Sequence, residues 1–323
     1  MRVLIIGGGG MIGQKVARRL AADAALAGAP VEEIILHDIV EPPAVAAPFA
    51  VTRLTGDIAE PAEATRLAAL RADIVYHLAA IVSGEAERDF DKGWTVNGHG
   101  IWRLLEAVRA VGGGYRPRFV FTSSIAVFGA PFPDAIPDDF FATPLTSYGA
   151  QKAIGELLVG DYSRKGFIDG LSLRLPTVCV RPGRPNRAAS SFFSGIIREP
   201  LNGQEAILPV PDTVRHWFAS PRSTAGFLVH AAGLDTARLG GRRALTMPGL
   251  SCTVAEQIAA LRDVAGEDVT RLIRFEPDAE IAAIVAGWPR NFDAARAREL
   301  GFAAESDFHE IIRVYVDEEL GWS

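Results

Sequence analysis

The segment Val3–Gly13, which reads VLIIGGGGMIG, decides the fold of this chain. The run Val3–Ile6 is short, apolar and rich in isoleucine, so it predicts a buried strand. The glycines that follow predict a sharp turn, and a helix is predicted over residues 13–25. A strand, a glycine turn and a helix in this order are typical of the first unit of a parallel α/β sheet.

The spacing of the glycines indicates a bound nucleotide. Gly7, Gly10 and Gly13 fit GxxGxxG, and the set that starts at Gly8 fits GxGxxG. Glycine is required where a pyrophosphate approaches the backbone, because a Cβ would collide with it. The helix then offers its unpaired N–H groups to the phosphates. We predict these cofactor-binding residues: Gly7, Gly10, Met11, Ile12 and Gly13. A glycine turn that binds no nucleotide is the alternative.

Short apolar runs and amphipathic segments alternate through the first half of the chain. We predict further strands at 33–36, 74–78, 119–122 and 171–175, and further helices at 62–70, 95–111 and 147–162. This alternation predicts an α/β fold, a Rossmann-type doubly wound parallel sheet over residues 1–175.

The pattern changes after residue 176. We predict helices at 191–198, 221–234, 254–265 and 308–320, and a strand at 243–247 that rejoins the main sheet. Residues 212–248 are therefore predicted to return to the Rossmann core. Residues 176–211 and 249–323 are predicted to form a smaller, mixed α/β substrate-binding lobe.

Composition narrows the class of protein. The chain has 323 residues, 49% of them hydrophobic and 22% charged, with a formal net charge of -6. That negative charge disfavours nucleic acid as a partner. No apolar run approaches the roughly 18 residues of a membrane span, and we expect no membrane partner and no signal peptide. Cys179 and Cys252 form no CxxC pair, so we predict buried thiols, no metal site and a cytoplasmic setting.

The end of the second predicted strand identifies the nucleotide. Asp38 is placed to accept hydrogen bonds from ribose hydroxyls, and it would repel a 2′-phosphate. No Arg or Lys follows before Arg53. NAD is therefore predicted rather than NADP, although a solvated loop acid is the alternative for Asp38. Asp57 is predicted to contact the adenine. Further predicted cofactor contacts are Ile58, Leu78, Ala79 and Ala80, since the small residues at the end of the third long strand leave room for a cofactor.

A second group of residues indicates proton transfer. Tyr148 and Lys152 stand at i, i+4 on a predicted helix, so their side chains share a face. A nearby ammonium lowers the pKa of a phenol, and we expect Tyr148 to take the proton of a substrate hydroxyl as a hydride leaves the same carbon. Ser124, at the end of a buried strand, is predicted to hold that oxygen. A surface pair of no function is the alternative.

Taken together, these motifs make the chain resemble the extended short-chain dehydrogenase/reductases, the group that includes nucleotide-sugar epimerases and dehydratases. The matching stretches are residues 7–13, GDI at 56–58, HLAA at 77–80, VNG at 96–98, TSS at 122–124 and YGAQK at 148–152. The resemblance implies that Asn97 supports the active-site helix. It also implies that Ser123, Lys152, Pro176 and Val178 lie beside the cofactor, and that a homodimer forms through the helix carrying Tyr148 and the one before it.

The substrate region departs from the nucleotide-sugar pattern. Thr177 stands where epimerases commonly carry Asn, and residues 215–220 read RHWFAS where RDFxHV is usual. Ile125 and Ala126 replace the Asp-Glu pair of dehydratases, so dehydration is not expected. Arginine suits a carboxylate because its planar fork bonds both oxygens. The predicted substrate contacts are Ser83, Ser124, Thr177, Arg181, Arg184, Arg187 and Arg215, with solvated or ion-paired arginines as the alternative.

The stretches 173–183 and 215–222 are similar to sugar-acid dehydrogenases of this superfamily. That similarity implies NAD-dependent oxidation of the C2 hydroxyl of a four-carbon sugar acid to a 2-oxo acid. Two other functions stay open: a nucleotide-sugar epimerase that retains its NAD, and a non-catalytic NAD-sensing protein.

Overall fold

The computed structural model describes residues 1–183 and 189–322. Its strands are β1 (Arg2–Ile6), β2 (Ala25–Leu26), β3 (Ala29–Pro30), β4 (Glu33–Asp38), β5 (Ala50–Thr55), β6 (Ile74–His77), β7 (Arg118–Ser124), β8 (Asp169–Leu175), β9 (Thr177–Val178), β10 (Ala206–Leu208), β11 (Arg215–Ala219), β12 (Ala244–Thr246), β13 (Leu250–Thr253) and β14 (Ile273–Phe275).

The helices follow the strands closely along the chain. They are α1 (Met11–Asp23), α2 (Pro61–Ala69), α3 (Ser83–Arg88), α4 (Phe90–Gly93), α5 (Gly100–Val111), α6 (Ser147–Arg164), α7 (Ser191–Leu201), α8 (Pro221–Gly233), α9 (Val254–Ala265), α10 (Glu267–Thr270), α11 (Ala279–Ala286), α12 (Ala295–Glu299) and α13 (Phe308–Tyr315). Short 3₁₀ turns cover Ile125–Val127 and Thr236–Leu239, and π-helical segments cover Trp94–His99 and Val316–Leu320.

The main sheet confirms the predicted Rossmann-type fold. Within the described ranges, seven strands pair in the order β12-β8-β7-β6-β1-β4-β5, and every neighbouring pair is parallel. From β1 the chain builds outward first on one side and then on the other. The order therefore reverses between β1 and β6, which is where such sheets bind nucleotides at their carboxyl ends.

Both faces of the sheet are covered, which explains why its strands are continuously apolar. On β1, Val3 and Ile5 belong to a core that includes residues of α1 and α8. Leu4 and Ile6 point to the other face, into a core that includes residues of α2, α5 and α6. The alternation of side chains along the strand thus fills two cores from one four-residue run.

The smaller lobe is built on a mixed sheet, with β11 antiparallel to β13 and parallel to β9. Its core joins side chains of α7, α9 and α13. Within residues 212–248, β11 belongs to this sheet and β12 to the main one, and residues 297–302 pack into the Rossmann core. The division of the chain into a Rossmann core and a substrate-binding lobe stays a proposal. In that division, β11 would belong to the lobe and residues 297–302 to the core.

Two of the differences from the sequence prediction concern the elements around the main sheet. The edge strand β5 was not predicted, because it mixes exposed and half-buried residues instead of forming a buried apolar run. The helix predicted from residue 95 begins with the π-helical segment Trp94–His99, and α5 continues it.

Among the helices of the described residues, none combines the length and the hydropathy that crossing a bilayer requires. Cys179 and Cys252 are both buried with free thiols, as the sequence predicted.

Gly155 is the point where α6 packs tightly on β7. A Cβ at this position would lie 2.6 Å from Cζ of Phe121, a buried ring. We expect Gly155→Ala to lower the free energy of unfolding by about 1–3 kcal/mol, because the ring has no room to retreat. Denaturant unfolding measures this.

Gly160 on the same helix is the matched control. A Cβ there meets no atom within 4 Å, so Gly160→Ala should leave stability unchanged or raise it by up to about 1 kcal/mol. Equal stability of the two variants would show that α6 does not pack against Phe121 as described.

Candidate active site

The glycine loop sits directly against the end of β6. Gly7 has φ +89, and a Cβ there would lie 2.6 Å from the Ala79 nitrogen, while a Cβ on Gly13 would collide with the Gly7 carbonyl. A Cβ on Gly10, by contrast, meets only the Gly7 oxygen at 3.4 Å. Gly7 and Gly13 thus allow the close packing of the loop, and Gly10 leaves open space above it.

The start of α1 is open to an anion. Gly10 caps the helix, no side chain of the described residues caps it, and its first turn carries no acid. The backbone N–H groups around Met11 and Ile12 therefore retain their capacity for phosphate oxygens. The pyrophosphate of a dinucleotide fits this open helix start.

Asp38 stands at the edge of this loop. Its carboxylate accepts hydrogen bonds from the backbone nitrogens of Gly9 and Ile39, both at 2.8 Å. These bonds fix the carboxylate beside the glycine loop and leave lone pairs for ribose hydroxyls.

The remaining predicted cofactor contacts lie around the same edge of the sheet. Leu78 and Ala79 donate their backbone N–H groups to the Ile6 carbonyl at 2.8 and 3.0 Å, which holds the chain after β6 against β1. Asp57 accepts from the Ala59 nitrogen at 2.9 Å. The others lie nearby along the chain: Ile58 is buried, and Ala80 is half-buried.

Asn97 ties this edge to the helix that carries Tyr148. Its amide bonds both backbone groups of Ile81, at 2.8 and 3.0 Å, and donates to Oε1 of Gln151 at 2.7 Å. Gln151 lies on α6, so the amide connects the loop after β6 to that helix. The expected supporting role of Asn97 has this geometric basis, and its side chain is fully used within the protein.

Tyr148 is placed by the N-terminus of α6. Thr146 caps the helix, accepting from the Gly149 nitrogen at 3.1 Å. A Cβ on Gly149 would collide with the carbonyl of Ala126, just after β7. Glycine at this position therefore lets the first turn of α6 approach the end of β7, which brings Tyr148 beside Ser124. The sequence carried this signal in the residue after the tyrosine, but its packing role was not predicted.

Lys152 lies one turn along the same face of α6 and is only 3% exposed. Its Nζ donates to the Thr122 carbonyl at 2.8 Å. The same atom is 4.8 Å from the ring centre of Phe121 and 5.6 Å from that of Tyr148. Burial lowers the pKa of the Lys152 amine to about 7, against the opposing effect of the Glu156 carboxylate.

Glu156 extends the polar face of α6 by a further turn. It forms a buried ion pair with Arg174 of β8 at 2.9 Å and accepts a hydrogen bond from the Ser123 hydroxyl at 2.5 Å. Ser123 was predicted to lie beside the cofactor, but its hydroxyl proton is directed into the protein. Glu156 and Arg174 were not predicted from the sequence, although the i+4 spacing of the glutamate from Lys152 was a signal.

The environment of Tyr148 opposes its ionisation overall. Burial raises the pKa of the phenol, while the neighbouring Ser124 hydroxyl and the charge of Arg181 lower it. From the sequence, Lys152 was expected to lower the pKa of the phenol. Ser124 and Arg181 act in that direction, so one of the predicted substrate arginines lies within electrostatic range of the phenol.

Arg181 is held by neutral groups. Its Nε donates to the Val178 carbonyl at 3.0 Å and its Nη2 to the Ser190 hydroxyl at 3.2 Å. No carboxylate within residues 1–183 and 189–322 pairs with it, whereas Arg198 pairs with Glu199 at 2.6 Å. Burial lowers the pKa of the Arg181 guanidinium. A half-buried cation that lacks an anion in its surroundings favours an anionic ligand.

The other predicted substrate residues come from separate segments of the chain. Thr177 on β9 contacts Nε2 of His216 at 2.7 Å. Arg215, next to that histidine, points to the opposite face of β11 and pairs with Glu256 at 3.2 Å. Ser83 begins α3, Pro176 directly precedes β9, and Val178 is the last residue of β9. Arg184 and Arg187 fall outside the described residues.

Comparison with known proteins connects this geometry to a family. The family model described as "NAD dependent epimerase/dehydratase family" matches residues 3–218. The chain belongs to this family. The match includes the glycine loop, Asp38, Ser124, Tyr148 and Lys152. NAD is therefore the cofactor, as Asp38 at the end of the second long strand predicted.

Two curated relatives cover nearly the whole chain. The D-erythronate dehydrogenase of Cupriavidus necator is 46% identical over 322 residues, covering 98% of each chain. The D-erythronate dehydrogenase of Haemophilus influenzae is 40% identical over 320 residues, covering 99% of this chain and 100% of that one. With the family, these relatives show an NAD-dependent dehydrogenase of sugar-acid type.

Solved structures share the fold. A crystal structure described as a nucleoside-diphosphate-sugar epimerase from Agrobacterium tumefaciens is 58% identical, with a TM-score of 0.97, and covers 100% of this chain and 95% of that one. A GalE-like L-threonine dehydrogenase from Cupriavidus necator, 23% identical, has a TM-score of 0.83 and covers 98% of this chain and 99% of that one. The second likeness concerns the fold alone.

The burial of Lys152 predicts a pH-dependent stability. The folded pKa is about 7 and the ordinary value is 10.5, so between these values the unfolded chain binds one proton more than the folded chain. The free energy of unfolding should therefore rise with pH from about 7 to about 10.5.

The variant Lys152→Met isolates this effect, because all other titrating groups are retained. Denaturant unfolding at a series of pH values, without added NAD, should give a steeper rise for the natural chain than for the variant. Parallel curves would contradict the burial of the amine.

Proposed function

We propose that the chain oxidises the C2 hydroxyl of D-erythronate to a 2-oxo acid. The observation that carries the proposal is Arg181, a half-buried cation in electrostatic range of Tyr148 and held by neutral groups. A carboxylate bound there is adjacent to C2, so the hydroxyl next to it is the one presented to the phenol. The identity to two D-erythronate dehydrogenases supports the choice of acid.

In this proposal Tyr148 acts as the base and Ser124 holds the reacting oxygen. NAD, when bound, accepts the hydride from C2. The proton of the hydroxyl passes to the Tyr148 phenolate, and the C2 oxygen becomes a carbonyl oxygen. Lys152, held by the Thr122 carbonyl, places a positive charge next to the phenol ring. An amine with a pKa of about 7 is partly charged near neutral pH.

A second function is favoured by one cavity. A cavity of about 660 Å³ includes Phe132, Asp134, Arg215, Ser251, Arg290 and Asn291 in its lining. A four-carbon acid would fill little of it, and the guanidinium of Arg290 suits a phosphate group. The likeness to the Agrobacterium protein points the same way. Epimerisation of a nucleotide sugar with retained NAD is therefore the second candidate, and a non-catalytic NAD sensor is the third.

We expect the purified chain to form NADH from NAD and D-erythronate. Tyr148→Phe should lower kcat by at least about 100-fold, because a general base contributes that much or more, with NAD affinity within about twofold. Absorbance of NADH and NAD titration measure both. Interconversion of a UDP-sugar without net NADH would establish the epimerase instead. NAD binding with neither reaction would leave the sensor.

Arg181 is expected to bind the carboxylate. Arg181→Met should raise KM for D-erythronate by about 10- to 100-fold, the value of a charge-assisted hydrogen bond, with little change in NAD affinity. Arg215→Met is the matched control, because that guanidinium pairs with Glu256 on the other face of β11. A larger KM effect from Arg215 would move the carboxylate site to the cavity described above.

Two expectations about partners and setting stay proposals. The homodimer is compatible with exposed apolar side chains on α5 and α6, among them Trp102, Ile154 and Leu157. Light scattering at several protein concentrations measures the assembly state.

The cytoplasmic setting rests on the reduced, buried thiols of Cys179 and Cys252.

A further inference from the structure

The Thr177 hydroxyl is bound to a histidine whose hydrogen-bonding state is fixed by the fold. Nε2 of His216 lies 2.7 Å from the Thr177 hydroxyl, and Nδ1 lies 2.9 Å from the Pro289 carbonyl. Both ring nitrogens of this 2%-exposed residue therefore have a partner within the protein.

The partners determine which nitrogen carries the proton. A carbonyl oxygen only accepts, so Nδ1 must be the protonated nitrogen. Burial lowers the pKa of the His216 imidazole to about 4, and the charge of Arg181 acts in the same direction. The ring is therefore neutral near neutral pH, and Nε2 carries a lone pair. The Thr177 hydroxyl must donate its proton to that nitrogen.

The ring has little freedom to turn away from this arrangement. It stacks on Phe193 with an interplanar angle of 3° and a centroid distance of 5.3 Å. Phe218 meets it edge-on at 5.3 Å, and Trp288 lies at the same distance. A rotation that brought Nδ1 to Thr177 would break both hydrogen bonds in a dry environment, which costs about 1–3 kcal/mol for each group left unpaired.

We propose that His216 is a positioning residue that makes the Thr177 hydroxyl an acceptor-only group, which selects a hydroxyl donor on the substrate. The inference rests on the proposed function, because it assigns Thr177 to the substrate site. The hydroxyl concerned is one that is not oxidised, on C3 or C4 of the acid.

The selectivity follows from what each side of the site offers. Arg181 only donates hydrogen bonds, so it suits a carboxylate. Thr177, with its proton committed to His216, presents only lone pairs, so it suits an O–H group and disfavours a carbonyl, ether or second carboxylate. A ligand with an acceptor in that place would leave two sets of lone pairs facing each other. The two groups together distinguish the ends of a polyhydroxy acid.

The test uses D-erythronate and its 3-deoxy and 4-deoxy analogues. The natural chain should prefer D-erythronate over one analogue by about tenfold in kcat/KM, which corresponds to about 1.4 kcal/mol. Thr177→Val should abolish that preference by raising KM for D-erythronate, with kcat for the analogue unchanged. Thr177→Ser should retain it.

Two variants of the histidine separate positioning from packing. His216→Asn can still donate to the Pro289 carbonyl but has no acceptor near Nε2, so the Thr177 hydroxyl is no longer oriented and the preference should fall, but by less than in Thr177→Val, which has no oxygen. His216→Gln carries an amide oxygen at the reach of Nε2 and should restore part of it. The double variant Thr177→Val with His216→Asn should lose no more than Thr177→Val alone, since His216 acts only through the Thr177 hydroxyl. Additive losses would overturn the proposal.

A measurement without substrate separates this inference from the proposed function. Nitrogen NMR of the chain labelled at histidine should show Nε2 of His216 unprotonated and Nδ1 protonated at neutral pH. A protonated Nε2 would overturn the inference, whatever the substrate. Absence of NADH with every sugar acid would overturn the proposed function. NADH formation with equal rates for D-erythronate and both analogues would overturn the inference alone.

Discussion

The amine of Lys152 is buried, since the residue is only 3% exposed, and the surrounding groups stabilise it in that position. The Thr122 carbonyl accepts its hydrogen bond, the Phe121 ring faces it, and Glu156 supplies a negative charge one turn along the helix. A buried lysine without such partners would lose its charge altogether. The position of α6, and hence that of Tyr148, is constrained by these contacts.

The same contacts join three elements of the core. Glu156 belongs to α6, Arg174 to β8 and Ser123 to β7, so the ion pair and its hydrogen bond fix the helix against two adjacent strands. Removing one member of such a pair leaves a buried charge, which is far more costly than the pair itself is stabilising. Gly155 and Gly149 permit the close approach that these polar contacts need.

The two halves of the site differ in how they recognise a ligand. The nucleotide end consists of backbone groups at the carboxyl edge of the sheet, and it is shared by a large family. The substrate end depends on side chains from separate segments, and their hydrogen-bonding states are set by neighbours: neutral groups around Arg181, and His216 beneath Thr177. Selectivity for one acid over another is expected to reside there.

The sequence by itself determined the Rossmann-type sheet, the glycine loop and the NAD preference, because each depends on residues close together in the chain. A strand followed by GGGGMIG, with an acid at the end of the next long strand, is typical of a dinucleotide-binding unit. Tyr148 and Lys152 were predictable for the same reason, since four residues on a helix return to the same face.

Only the tertiary structure decided which distant groups meet. Glu156 faces Arg174, Thr177 meets His216, and Arg181 rather than Arg215 comes within electrostatic range of Tyr148. The edge strand β5 was likewise not predicted from the sequence, because it lacks the apolar run that marks a strand buried on both faces. Protonation states and charge pairing depend on burial and on neighbours remote in sequence, and neither can be read from local spacing.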